Sequence, residues 1–355
     1  MSARKYVMTL GTLLFVFVAV NAIFWNAVTR PLFTGWDFAR LGSFRSAESL
    51  TGSKHYPEHH TEFADYIMSG RQESFDVLTI GDSFSNGQGG NYYQDCLESE
   101  YGLRVLNVRV KNHCLEDLYA LCESGLLDEV SPRFVILESV ERAVQGRLGE
   151  KLISPTPTTR NDVIRRVLAE TRNKKPETGF LAPVMVKANA TFLRDKLYHI
   201  LKPERLSPVA YITELDRAMF TNRGQEDLLL YYHEDMSFTS SPLNPEIFAR
   251  NLSSAAKILR DKGITLIFFA APDKYDLYHP YIRDKSGKPA NNFFTAMMSV
   301  KHEGYTVVDT LALLRSALGR GEKDVYRLDD THWSYRGIEI FCKELAKYLL
   351  PPKLN

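Results

Sequence analysis

The chain of 355 residues carries 44 Lys+Arg against 43 Asp+Glu, a formal charge of +1. That balance excludes a basic nucleic-acid-binding face as the default role, and an acidic solvating tail as well. Hydrophobic residues at 44% and aromatics at 12% exclude wholesale disorder, and the length admits one large α/β domain with an insertion or two smaller ones.

The front of the chain stands apart. Between Lys5 and Arg30 there is no formal charge, and Leu13-Leu14-Phe15-Val16-Phe17-Val18 lies in the middle of that stretch. About 20 apolar residues span a bilayer as a helix, so residues 1–30 read as a transmembrane anchor with Arg4 and Lys5 on the cytoplasmic side. A cleaved signal sequence is the alternative, because Val20-Asn21-Ala22 resembles a small-x-small cleavage site. The apolar run continuing through Ile23, Phe24, Trp25 and Val28 favours retention. The expected product is a single-pass protein of the inner (cytoplasmic) membrane, its remaining residues on the periplasmic or extracellular side. Cys96, Cys114, Cys122 and Cys342 permit disulfides without fixing a pairing. No C-x-x-C spacing offers zinc or redox chemistry.

Residues 31–70 mix Gly, Ser, His and Pro and read as a linker leading into a short helix over Glu62–Met68. His55, His59 and His60 cluster there with Glu58 and Glu62; a solvated loop fits them better than a metal site, since no regular face fixes their spacing. The apolar, β-branched run Phe75–Ile80 ends at Gly81 and predicts a buried strand. Arg104–Val108 predicts a second, and Phe134–Glu138 a third, after a helix around Glu116–Asp128. From about 143 to 245 the rhythm breaks: a Pro/Thr cluster (Pro155–Thr159), basic residues and aromatics with no clear strand predict a largely helical cap insertion. Asn251–Asp261 is helical in pattern, Ile264–Phe269 is a fourth strand and Tyr305–Asp309 a fifth. A last helix runs over Tyr335–Leu349 with Ile338, Phe341, Leu345 and Leu349 on one stripe. Strands alternating with helices predict an α/β fold over residues 71–350: three layers, α/β/α, around a central parallel sheet.

Two turn motifs carry the chemistry. Gly81-Asp82-Ser83-Phe84-Ser85 follows the first strand, where a serine at a helix N-terminus would meet unpaired N–H groups and a favourable dipole. A Ser at a helix start is also an ordinary cap. Asp329-Asp330-Thr331-His332-Trp333-Ser334 precedes the last helix. A nucleophilic Ser needs a neutral imidazole to take its proton and a carboxylate to hold that imidazole's tautomer, and an Asp two or three residues before a His supplies the second locally. Both turns fall at the carboxyl edge of a parallel sheet, where open α/β folds place ligands. Lys274, Tyr275 and Tyr278, after the fourth strand at the same edge, are candidates for sugar or acetyl contacts.

Gly81-Asp82-Ser83 near the start of the domain with Asp330-Thr331-His332-Trp333 near its end resembles the SGNH (GDSL-type) hydrolase superfamily, and within it the alginate O-acetyltransferase, AlgX/AlgJ-like branch. Pro272-Asp273-Lys274-Tyr275-Asp276-Leu277-Tyr278 is similar to that branch too. The resemblance implies Ser83 as the nucleophile that carries the acetyl group, His332 as the base and Asp330 as the orienting carboxylate, with Asp329 the alternative where the spacing is Asp-x-x-His. It implies an oxyanion hole at Ser83, Asn112 and Arg142, the last two standing where the superfamily has Gly and Asn; Arg142 is equally readable as an ion-pair partner of Glu138 or Glu141. Trp333 joins Lys274 and Tyr278 as a candidate substrate contact. Here Ser precedes the Asp-x-His pair, the reverse of the alginate enzymes, so the acceptor polymer is not carried over. The expectation is an exported O-acetyltransferase acting on a cell-surface or extracellular polysaccharide, with no metal, cofactor or nucleic acid. A multi-pass membrane acyltransferase would supply the acetyl group. An acetylesterase with the same triad, or a non-catalytic assembly subunit, are the alternatives.

Overall fold

Apolar runs too short for helices and bounded by turn residues pair as strands here, and their order sets where the site lies. The computed structural model describes residues 2–30, 38, 56–70, 73–85, 92–109, 113–171 and 179–350. Its strands are β1 (Thr61–Glu62), β2 (Val77–Gly81), β3 (Val105–Arg109), β4 (Phe134–Val140), β5 (Arg205–Ser207), β6 (Ala210–Glu214), β7 (Leu228–Tyr232), β8 (Thr265–Ala271) and β9 (Tyr305–Val308). Six of them form one sheet in the order β1-β3-β2-β4-β8-β9, every pair parallel. Without the two-residue β1, this is the doubly wound order in which the chain reverses direction across the sheet at its first long strand. That strand is β2, so the crevice at its carboxyl end is where Gly81-Asp82-Ser83 emerges. All five residues of β2 are buried, as expected for a parallel strand covered by helices on both faces.

Helices over Tyr93–Tyr101, Cys114–Glu123, Pro245–Asp261, Thr310–Gly319 and Tyr335–Leu349 cover the sheet. The last is amphipathic as expected: Ile338, Phe341, Leu345 and Leu349 are all buried. A disulfide joins Cys96 on the first of these helices to Cys342 on the last, with Cα atoms 6.4 Å apart across 246 residues of sequence. Cys114 and Cys122 are free thiols.

Three expectations are corrected. The stretch read as a linker is part of the sheet from Thr61 onward, since β1 pairs with β3 through Thr61–Leu106 and Glu62–Asn107. His60 is not in a solvated loop: its side chain is fully buried, with Nδ1 2.6 Å from Asp95 and Nε2 3.4 Å from Glu62. His55 lies outside the described residues. The segment between Val144 and Pro245 holds helices over Arg160–Thr171 and Met185–Leu201, but also a three-stranded antiparallel sheet in the order β5-β6-β7. Its strand signal, the run Leu228-Leu229-Leu230-Tyr231-Tyr232, is apolar and aromatic but sits among charged residues that masked it.

At the N-terminus a helix over Ala3–Phe24 continues as a wider turn over Trp25–Thr29, together long and apolar enough to cross a membrane. Leu13, Phe15 and Phe17 on it are exposed.

The disulfide closes a loop over most of the chain, so Cys342→Ala is expected to lower the unfolding free energy by about 2–5 kcal/mol. Thermal melts with and without reductant check this, the variant losing the reductant sensitivity that the parent shows. Burial works against a charged ring at His60, but the hydrogen bonds and charges of Asp95 and Glu62 outweigh it and raise its pKa from 6.5 to about 10. A value raised on folding stabilises fully below the unfolded pKa, and that contribution is lost as pH climbs through the folded one. His60→Gln should therefore cost about 3 kcal/mol near pH 6, because it strands Asp95. The difference from the parent should shrink toward pH 10, as paired denaturant titrations would show.

Candidate active site

The Gly-Asp-Ser turn is built by the groups beneath it. A side chain at Gly81 would collide with the Glu138 carboxylate and the Ser85 hydroxyl, so glycine is needed for close approach of β4. The Asp82 amide donates to Glu138 Oε2 at 2.8 Å, and Ser85 Oγ donates to the same oxygen at 3.0 Å. The Asp82 carboxylate accepts from the Val140 amide at 2.9 Å, from Arg147 Nη1 at 2.5 Å and from the Phe84 amide at 3.3 Å. One carboxylate thus ties the end of β2 to the end of β4 and shapes its own turn. Burial would raise the Asp82 pKa, but Arg147 and the Val140 amide hold it below the usual range. Glu138 goes the other way: burial, then the Asp82 charge, push it well above the ordinary carboxyl value.

Ser83 sits in a turn closed by the Ser85 amide donating to the Asp82 carbonyl at 3.0 Å. Its side chain is exposed, while Phe84 and Ser85 on either side of the turn's far end are buried. The helix expected to start at this turn would run through residues 86–91, which lie outside the described residues; the next helix described begins at Tyr93.

The second turn comes to the first. The Phe84 ring lies 4.9 Å from the His332 ring and 5.3 Å from that of Trp333, centre to centre. His332 Nδ1 is 2.6 Å from Asp330 Oδ1, and the His332 amide donates to the same oxygen at 3.0 Å. With Nδ1–H directed at a carboxylate, Nε2 keeps its lone pair for a proton. The His332 side chain is 30% exposed and Asp330 5%, so the imidazole faces outward from a buried carboxylate. Burial would raise the Asp330 pKa, yet the hydrogen bond and charge of His332 keep it below the usual value. Asp329 is buried; its carbonyl accepts from the Phe38 amide at 2.8 Å. The carboxylate on His332 is that of Asp330.

Lys274 has a different place from the one expected. It is buried, and its Nζ donates to the carbonyls of Arg327 at 2.6 Å, Leu328 at 2.7 Å and Asp330 at 3.1 Å. An ammonium has three protons, and three carbonyls of the His332 loop take them. Lys274 holds the base's loop; it does not meet substrate. Tyr278 is also corrected: it is fully buried, and its hydroxyl accepts from the Tyr326 amide at 3.3 Å. Trp333 is buried among Phe84, Phe269 and Phe341, a core ring and not a sugar platform.

Arg142 is corrected as an oxyanion donor, and its partners are neither Glu138 nor Glu141. Its amide donates to Asp273 Oδ2 at 3.0 Å, its Nη1 donates to Asp273 Oδ1, and Asp235 lies 3.5 Å away. Its Nη1 is thus taken up by two buried carboxyl groups. Burial pushes Asp273 up to about 8, with Arg142 working against it. Of the other expected oxyanion donors, the Ser83 amide lies on the nucleophile turn itself and Asn112 falls outside the described residues.

Comparison with known proteins bears on the half of the site that holds the base. A family model described as "SGNH hydrolase-like domain, acetyltransferase AlgX" matches residues 223–354. The match supports the SGNH superfamily, AlgX-like branch. It takes in Lys274, Asp330 and His332 and leaves the Ser83 turn outside. No curated protein matches the chain.

The residues whose roles composition and spacing did not expose are those that hold the two turns in place: Asp82, Phe84, Glu138, Arg147, Asp235 and Asp273. Asp82, Phe84 and Asp273 stood inside quoted motifs, each directly beside a candidate; Arg147 and Asp235 had no local signal. Lys274→Met keeps the stem but leaves three buried carbonyls without a donor, and should destabilise the protein by about 2–4 kcal/mol. Faster amide exchange across residues 327–332 than across β8, read by hydrogen–deuterium exchange, is the expected signature.

Proposed function

We propose that the protein is an exported serine-dependent O-acetyltransferase acting on a cell-surface or extracellular polysaccharide through an acetyl-Ser83 intermediate. The observation that carries this reading is the meeting of the two turns: Phe84, the neighbour of exposed Ser83, packs on the ring of His332, whose Nδ1 rests on Asp330. In the proposed reaction His332 Nε2 takes the Ser83 hydroxyl proton as Oγ attacks the acetyl carbonyl of the donor. The tetrahedral oxyanion collapses, the donor's leaving group departs with the proton from His332, and an ester on Ser83 remains. A sugar hydroxyl, deprotonated by the same imidazole, then attacks that ester and regenerates the serine. Asp330 holds the ring's tautomer and balances the imidazolium that forms twice per cycle. Water in place of the sugar makes the same machinery an acetylesterase, and exclusion of water is what separates the two.

An apolar N-terminal helix and a disulfide of the kind that persists in oxidising compartments both support export. Acetyl-coenzyme A is a cytoplasmic donor, so a multi-pass membrane acyltransferase is the proposed source of the acetyl group.

Ser83→Ala should abolish turnover by at least about 10³-fold with an unchanged melting temperature, since the side chain is exposed. Asp330→Asn should lose about 10²–10⁴-fold, more than Asp329→Asn. Acetate release from an activated acetyl ester, run beside acetyl transfer to an oligosaccharide acceptor, checks all three and separates esterase from transferase. Polymer acetylation that persists in cells carrying Ser83→Ala would leave a non-catalytic assembly subunit as the better reading.

A further inference from the structure

The helix over Met185–Leu201 has a buried side and, next to it, an exposed apolar stripe. Met185, Asn189 and Asp195 are buried, while Val186, Leu193, Leu197, Ile200 and Leu201 are exposed, the last four by 55–74%. At 100° per residue these five side chains fall in one stripe about 100° wide. Lys187 and Arg194 border it on one side, Arg194 paired with the buried Asp195 at 2.6 Å; on the other side the buried Asn189 comes first and Lys196 just beyond it. Phe180 and Leu181, just before the helix, are exposed too. Scattered apolar residues on a surface are ordinary, but a continuous apolar stripe flanked by lysines is the composition of a helix lying in a membrane interface.

What says that lipid covers this stripe is its neighbour. The inner face of the same helix is fastened to the exit end of the membrane anchor. Trp25 is fully buried and its Nε1 donates to the Gly179 carbonyl at 3.1 Å. Asn26 Nδ2 donates to the Phe180 carbonyl at 3.1 Å, and Asn189 Nδ2 to the Asn21 carbonyl at 2.9 Å. Thr29 Oγ1 donates to Asn189, and the rings of Phe24 and Phe192 lie 5.9 Å apart. The hydrocarbon core is filled by about 20 residues of helix, so a span beginning near Tyr6 brings Trp25 to the opposite headgroup level. The helix held there cannot leave that level without breaking these bonds. A cavity of about 330 Å³ between it, Thr29, Val209 and Tyr232 has a mostly apolar lining, with Lys187 and Arg194 also on its wall.

We infer that Met185–Leu201 is a second membrane element, an interfacial helix whose stripe of Val186, Leu193, Leu197, Ile200 and Leu201 lies among the lipids of the leaflet where the anchor emerges. Lys187 and Lys196, flanking the stripe, extend to anionic headgroups. With the anchor, it gives the domain two attachments and so a fixed orientation to the bilayer. The inference rests on the anchor being retained in the membrane, not on the reaction proposed above.

The full chain, reconstituted in phosphatidylethanolamine–phosphatidylglycerol vesicles, tests it by collision accessibility of nitroxides at Leu197→Cys and Ile200→Cys. Label taken up by the unsubstituted chain sets the background. Lys301→Cys serves as the aqueous reference and Phe15→Cys as the reference inside the span. The expected result is oxygen relaxation several-fold above that from a water-soluble nickel chelate at 197 and 200, as at 15, with the order reversed at 301. Labels at 197 and 200 that meet the nickel chelate as freely as 301, while 15 remains in lipid, overturn the inference. So do labels at 197 and 200 shielded from both reagents in native membranes, the outcome expected of a protein partner on this face. A label at 15 that meets the chelate freely overturns it through the anchor itself.

Discussion

A single buried ammonium sets the position of the His332 loop. Lys274 leaves the carboxyl end of β8 and places its charge beneath the loop from Arg327 to Asp330, where three carbonyls converge on it. Carbonyls turned inward toward one cation leave the other side of that loop to present the His332 ring outward, with the Asp330 carboxylate buried beneath it. The Asp330 carboxylate then fixes the ring, and the ring rests on Phe84 from the opposite turn. The chain of cause runs from the sheet through Lys274 to the imidazole, and no flexible surface residue takes part.

The Gly-Asp-Ser turn is held by the same kind of device with the charge reversed. Asp82 gathers the Val140 amide, the Arg147 guanidinium and its own Phe84 amide, while Glu138 beneath it accepts from the Asp82 amide and the Ser85 hydroxyl. Each turn therefore has one buried ion that bonds backbone of a distant segment: Asp82 the Val140 amide at the end of β4, and Lys274 the carbonyls of the loop from Arg327 to Asp330. Such bonds are costly to leave unmade, which restricts both turns to a narrow set of conformations before any substrate arrives, the condition that catalysis by positioning requires.

Much of the architecture could be read before any coordinates. β2, β4 and β8 are continuous apolar runs, and a parallel sheet buried on both faces demands that pattern. The final helix announced itself through Ile338, Phe341, Leu345 and Leu349. The Gly-Asp-Ser and Asp-Thr-His turns were visible because their residues are local in sequence. Failures came where burial depends on remote partners. Arg142 looked available until Asp273 and Asp235, from two other parts of the chain, were found around it. Tyr278 and Trp333 looked like sugar contacts because an amphipathic ring carries no mark of the side it will face. His60 read as solvated because Asp95 lies on a helix that spacing alone could not bring to it. The small antiparallel sheet gave little signal because β5 is three residues long with polar ends and β6 runs Ala-Tyr-Ile-Thr-Glu without alternation; only β7 is apolar enough to mark a strand.

The bridge between Cys96 and Cys342 has a bearing on how the molecule holds together. Cys96 belongs to the helix that follows the serine turn, and Cys342 to the helix that starts just after the histidine loop. Nearly everything between them in sequence, including the irregular segment with its own small sheet, lies inside the covalent ring so formed. A protease that severs the backbone once anywhere in that ring does not release a fragment. The serine-bearing piece and the histidine-bearing piece stay chemically one body, with their helices still packed side by side. That arrangement lets the pairing of the Ser83 turn with the His332 loop outlast a broken chain.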